Sequence, residues 1–175
     1  DPAEVDRLLG ENPGIGVVFT TLSETSTGVI HDVAAIAEIA HKHDALIVVD
    51  AVSGLGAAEL HQDDWSIDVV VSGSQKALMC PPGLGFASVN QAALDKAAER
   101  PEGRFFFDWN KTSTGQRKDP PDSPFTPPVS LFMGLDVALD MIVTETMPVV
   151  YDRHRLLGRA TRAAAFISSS GSASS

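Results

Sequence analysis

The residues able to do chemistry fall in three short clusters, each just past an apolar run. Thr25, Ser26 and Thr27 follow the run 15–21 (IGVVFTT). Asp50 closes the run 45–50 (ALIVVD). Ser72-Gly73-Ser74-Gln75-Lys76 continues from Val69-Val70-Val71. If the runs are parallel strands, ligands bind beyond their carboxyl ends, and all three clusters share that edge. An amine, a carboxylate and several hydroxyls suit an aldehyde cofactor that carries a phosphate and a basic ring nitrogen. The amine would form a Schiff base with the aldehyde. The acid would keep the ring nitrogen protonated, so that the ring draws electrons from a substrate carbon. Hydroxyls and backbone amides would hold the phosphate. A lysine in this role is expected to be buried among apolar and electropositive groups, which lowers its pKa.

Each cluster also has an ordinary explanation. An aspartate at a strand end often serves a turn. A lone lysine is usually a solvated charge, and hydroxyls after a strand often cap a helix. The continuation Ala77-Leu78-Met79-Cys80-Pro81-Pro82 is a poor surface sequence, and this weakens the ordinary reading for Lys76.

The elements that must position these residues follow from pattern. Residues 15–21 are apolar and β-branched and are expected to be a buried strand, and the apolar runs 45–50, 69–72 and 85–89 are expected to be further strands. Asp32 suits an N-cap for a helix over 33–43, with Val33, Ile36, Ala37 and Ala40 on one face. A short helix is expected from Gln91. The Pro-rich stretch 119–128 cannot be helix interior and is expected to be an ordered loop. A helix over 129–144 follows, with Leu131, Phe132, Leu135, Leu139 and Ile142 on one stripe. Beyond Pro148 a helix carries Arg153, Arg155, Arg159 and Arg162, best read as a solvated face. Strands alternating with helices predict an α/β fold with a mostly parallel sheet.

Composition narrows the function. The chain has 175 residues and a formal charge of -10, unsuited to nucleic acid as a main partner. No run is long enough for a membrane span. A single cysteine, Cys80, allows no internal disulfide and fits a reducing, cytoplasmic setting. His41 and His43 are two apart on a helix and would face different ways, so no metal site is expected. Ser72 and Ser74 fit neither the S-x-x-K nor the G-x-S-x-G hydrolase spacing. Gly83-Leu84-Gly85 enters a strand, which is not how a dinucleotide fingerprint is placed.

Residues 67–76 (IDVVVSGSQK) followed by Gly83-Leu84-Gly85 resemble the cofactor-lysine signature of the class V aminotransferases. Residues 23–29 (SETSTGV) and 48–53 (VVDAVS) resemble two further segments of that family, and the spacings match its alanine–glyoxylate and serine–pyruvate branch. The resemblance continues through Phe107-Asp108-Trp109 and residues 125–131, and covers nearly all of the chain before its serine-rich end.

That resemblance implies a fold-type I large domain and pyridoxal 5′-phosphate as cofactor. It implies that Lys76 forms the Schiff base and moves the substrate proton, and that Asp50 pairs with the pyridine nitrogen. Val52 would pack on the ring, Thr25 would bond near the ring hydroxyl, and Gln75 would contact the phosphate. Thr126 would reach the phosphate of a neighbouring subunit in a homodimer. Some family members carry tyrosine where this chain has Ser123. The implied reaction moves an amino group between a small amino acid (alanine or serine) and a small 2-oxo acid (glyoxylate or pyruvate). Cysteine desulfurases share the fold, but usually place histidine where Gln75 stands and need a mobile cysteine, a role ill suited to Cys80. A non-catalytic homologue is the other alternative. On this reading residues 1–145 are part of the large domain, 146–167 lead into a smaller one and 168–175 form a flexible tail. The family is about twice as long as this chain, so a fragment is expected.

Overall fold

The computed structural model describes residues 1–100 and 102–171, with side chains through 166. The chain runs through helix α1 (Pro2–Glu11), strands β1 (Val17–Thr21), β2 (Ser23–Glu24) and β3 (Val29–Ile30), helix α2 (Val33–Lys42), and strands β4 (Leu46–Asp50), β5 (Val69–Gly73) and β6 (Gly85–Val89). Helices α3 (Gln91–Ala98), α4 (Trp109–Gln116), α5 (Val129–Glu145) and α6 (Met147–Gly171) complete it.

The main sheet has the order β1-β4-β5-β6. β1, β4 and β5 are parallel, with Thr21 opposite Asp50 and Asp50 opposite Val71. β6 returns antiparallel to β5, bringing Gly85 opposite Gly73. The fold is therefore α/β with a mostly parallel sheet, and β6 departs from the parallel expectation. The nine residues between Ser74 and Leu84 close as a short loop, and a short return of this kind allows antiparallel pairing alone.

The α2 helix forms where its pattern places it. Asp32 caps it by accepting from the Ala35 N–H at 3.1 Å, and such a cap contributes about 1 kcal/mol. Val33, Ile36, Ala37 and Ala40 turn inward and pack with Leu22, Ile47, Val49, Ala51 and Ile67. A second cluster joins Leu78, Cys80 and Leu84 to Leu135, Ala138 and Ile142 of α5 and to Val150 of α6. The broad α5 stripe is narrower than expected, because Phe132 and Leu139 lie exposed.

Three further expectations are corrected. β1 is an edge strand, not a buried one: only β4 pairs with it, and on one face Val17 and Phe19 lie exposed, Phe19 at 77%, while Val18 on the other face packs against the α2 core. Helix α4 and the β2–β3 ribbon were not foreseen. The backbone of α6 continues helically through residue 171, where a loose tail was expected from 168. Serine costs a helix little per residue once the helix is nucleated. Residues 172–175 lie outside the described residues. The loop over 119–128 is irregular, as its prolines require. Arg153 pairs with Glu145 at 2.7 Å, Arg155 pairs with Asp152, and Arg159 and Arg162 are exposed.

A buried carboxylate fastens the end of the sheet opposite the clusters. Asp68, 3% exposed, accepts from the Ile47 N–H at 2.7 Å, from Asn90 Nδ2 at 2.7 Å and from His41 Nε2 at 2.9 Å. Burial pushes its pKa up, but the hydrogen bonds from His41, Ile47 and Asn90 together outweigh burial and hold it below the ordinary carboxylate value. His43 bonds Asp6 instead, at 2.7 Å, so the two histidines take different partners.

Candidate active site

The parallel register delivers the three clusters to one edge. β1, β4 and β5 all end there, in Thr21, Asp50 and Gly73. Backbone bonds then tie the three exits together: the Leu22 N–H donates to the Asp50 carbonyl, and the Ala51 N–H to the Val71 carbonyl, both at 2.8 Å.

Asp50 is exposed at the tip of β4. Its Oδ1 accepts from the Val52 N–H at 2.9 Å. No partner among the described residues takes Oδ2, so one carboxylate oxygen is available to a ligand N–H. Val52 is half-buried just beyond. The loop then turns inward at Gly54, where a Cβ would sit 2.5 Å from Leu22 Cδ2. Only glycine permits that approach.

Thr25 stands in the turn between β2 and β3. Its Oγ1 lies 2.7 Å from the Oγ of Ser53, two residues past Ala51. The turn itself is closed by Glu24, which accepts from the Ser26 N–H at 2.9 Å and the Ser26 hydroxyl at 2.7 Å. Two hydroxyls are thus presented beside the Asp50 turn. Ser53 was not singled out from sequence beyond its place in the VVDAVS segment. Its pairing with Thr25 is long-range and left no local signal.

Lys76 lies on the loop between β5 and β6. Its amine is exposed and takes no hydrogen bond or ion pair among the described residues. The expected burial is corrected here. Leu78 and Cys80 turn down into the α5 cluster, while Gln75 and Lys76 turn outward, so this part of the chain covers the loop from below only. The Gln75 side chain folds back over β5, with Oε1 2.7 Å from where a Cβ on Gly73 would stand.

Thr126 is not joined to the other five. It is exposed on the loop before α5, and no hydrogen bond links it to the Asp50, Thr25 or Lys76 side chains. Its neighbour Phe125 packs against Phe106, at 4.6 Å between ring centroids, and lies under the Lys111 ammonium. α5 nevertheless connects the two regions. It begins three residues past Thr126, and its inner face carries the Lys76 loop through Leu131, Leu135 and Ile142.

The residues present fit pyridoxal phosphate by their donor chemistry: an unengaged amine, a carboxylate with one free oxygen, and paired hydroxyls on the same edge. Residues 1–164 match the family model described as "Aminotransferase class-V". The chain belongs to that family. Membership implies pyridoxal 5′-phosphate as the cofactor.

Among class-V relatives, the serine–glyoxylate aminotransferase of Methylorubrum extorquens is 39% identical over 175 residues, covering 93% of this chain and 42% of that protein. A Synechococcus protein named "Soluble hydrogenase, small subunit" is 47% identical over 150 residues, covering 84% of this chain and 38% of its own. The crystal structure of pyridoxamine-pyruvate aminotransferase from Mesorhizobium loti superposes with a TM-score of 0.83 at 35% identity, over 93% of this chain and 42% of that one. The chain thus spans about two fifths of the length of the class-V proteins it matches. No helix among the described residues is long and apolar enough to cross a membrane.

Proposed function

We propose that this chain is the cofactor-lysine portion of an aminotransferase that moves an amino group from alanine or serine to glyoxylate or pyruvate. The observation that carries the reading is the shared strand edge, which holds the unengaged Lys76 amine and the free oxygen of Asp50. Bound pyridoxal phosphate supplies an aldehyde that takes up the amino group and an electron-poor ring that stabilises negative charge at the donor α-carbon.

The chain's own residues do the rest. Lys76 Nζ would hold the cofactor covalently and, as the base on this edge, would move the proton at the donor α-carbon. Asp50 Oδ2 would accept from the pyridine N–H, with Oδ1 kept by the Val52 amide. Val52 packs on the ring face and Thr25 bonds near the ring hydroxyl. Gln75 reaches towards the phosphate. Thr126 serves the phosphate of a second subunit, and the whole protein is a homodimer. Residues 1–145 form part of the cofactor-binding domain, and 146–167 lead into the smaller one.

Cys80 does not suit a desulfurase. It is buried in the α5 cluster, where a thiol cannot swing to a substrate. The test is a donor–acceptor screen of the full-length protein. Loss of alanine or serine with matching gain of glycine or alanine from the acceptor is expected. Hydrogen evolution from a reduced viologen, without transamination, would favour instead the chemistry for which the Synechococcus relative is named.

A further inference from the structure

We propose that Ser74 is a positioning residue for Lys76, acting through the loop between β5 and β6. The proposal rests on the reading of Lys76 as the cofactor lysine. Ser74 is one of few buried polar side chains and is fully buried, at 0% exposure. Its hydroxyl donates to the Pro81 carbonyl at 2.6 Å and accepts from the Leu84 N–H at 3.3 Å. Its backbone adds two further bonds: the Ser74 N–H donates to the Leu84 carbonyl at 3.1 Å, and its carbonyl accepts from the Cys80 N–H at 3.0 Å. One residue therefore gathers both ends of the loop and its middle.

Lys76 sits two residues on, inside the ring that these bonds close. Within it the Met79 N–H donates to the Lys76 carbonyl at 3.0 Å, and Met79 is held at φ 60°. A methionine in that left-handed conformation is uncommon and persists only where its surroundings fix it. From below, Leu78, Cys80 and Leu84 are anchored in the α5 cluster. The side chain of Lys76 is long and otherwise free, so the place of its backbone decides where Nζ can reach. A misplacement of about 1 Å at a reacting group can cost about 10²-fold in rate.

The hydroxyl does this where alanine could not. An alanine would leave the Leu84 N–H and the Pro81 carbonyl without their shared partner, and buried groups of this kind seek another arrangement. The loop would then relax while the sheet and α2 stay intact.

The experiment uses the full-length protein with Ser74→Ala, Ser74→Cys and, as a stability control, Val33→Ala in the distant α2 core. Ser74→Cys keeps the buried volume, weakens the bond, and covers the case in which the alanine form does not fold. Three readouts are taken: amide hydrogen exchange over residues 76–84 without cofactor, the pH titration of the lysine-bound cofactor absorbance, and kcat against KM for the donor. The Ser74 variants are expected to exchange faster in the loop, to shift the titration, and to lose about 10²-fold in kcat with little change in KM. Val33→Ala should lower Tm comparably and leave all three unchanged. Ser74 variants with wild-type exchange, titration and kcat would overturn the proposal, leaving the residue a packing element. Borohydride fixation of the wild type on a lysine other than Lys76 would overturn the functional reading, and this proposal with it.

Discussion

The hydroxyls of Thr25 and Ser53 meet at 2.7 Å across 28 residues of sequence, and this contact ties the turn after β2 to the loop after β4. Because Thr25 is proposed to bond near the cofactor ring hydroxyl, Ser53 sets where its hydroxyl points. Ser53→Ala in the full-length protein should weaken cofactor binding by about 1 kcal/mol, roughly fivefold in Kd. An absorbance titration of the apoprotein measures this. An unchanged Kd would mean that the pair serves only the turn.

Asp50→Asn should fold normally and lose rate. The amide keeps an oxygen for the Val52 N–H, so the turn survives. The charge that would hold the pyridine proton is gone. A fall of about 10²-fold or more in the proton-transfer step is expected, the scale of losing one electrostatic stabiliser. Single-turnover rates with an α-deuterated donor check it, and a rate within threefold of wild type would contradict the role.

Asp68 makes stability depend on pH. Its folded pKa lies below the ordinary 3.8, so its contribution is present above that value and is lost as pH falls through the folded pKa. Asp68→Asn should lower stability by about 1–3 kcal/mol at pH 7, with a smaller gap to wild type at pH 3. Urea melts at both pH values, on the full-length protein, give the difference. An equal gap at the two would show that the carboxylate charge is not what matters.

Gly83→Ala tests the other end of the lysine loop. Gly83 has φ +143°, and a Cβ there would meet Leu131 Cδ1 at 2.6 Å. The backbone conformation costs an L side chain about 1–3 kcal/mol, and the Leu131 methyl must shift to make room. A clear fall in Tm and looser cofactor retention are expected. A Tm unchanged within a degree would show that the loop has more room than its geometry indicates.

How far these relationships could be read beforehand depended on their range. α2 was legible because Asp32 and the spacing of Val33, Ile36, Ala37 and Ala40 are local signals that agree. β4 and β5 were legible because apolar β-branched runs ended in turn residues. α4 was missed because residues 109–116 carry no apolar periodicity, although Asp108 caps them by accepting from the Lys111 N–H. The start of α1 carries a local signal, Asp1 as N-cap ahead of Pro2, but its apolar positions are too few to mark the helix by period. The exposure of β1 was hidden because its sequence is that of a covered strand; that one of its faces lies open and one of its edges unpaired is set by tertiary packing and sheet order. At the candidate site, the edge shared by Thr25, Asp50 and Lys76 was legible from strand ends. The Thr25–Ser53 pair and the bonds of Ser74 were not, because they join residues that the sequence separates.

The most direct measurement of the central claim is the site of covalent attachment. The full-length protein is incubated with pyridoxal phosphate, reduced with borohydride, digested, and mapped by mass spectrometry. The account predicts one reduced adduct, on Lys76, and its loss in Lys76→Ala along with transaminase activity. A stable adduct on any other lysine, or full activity in Lys76→Ala, would contradict it.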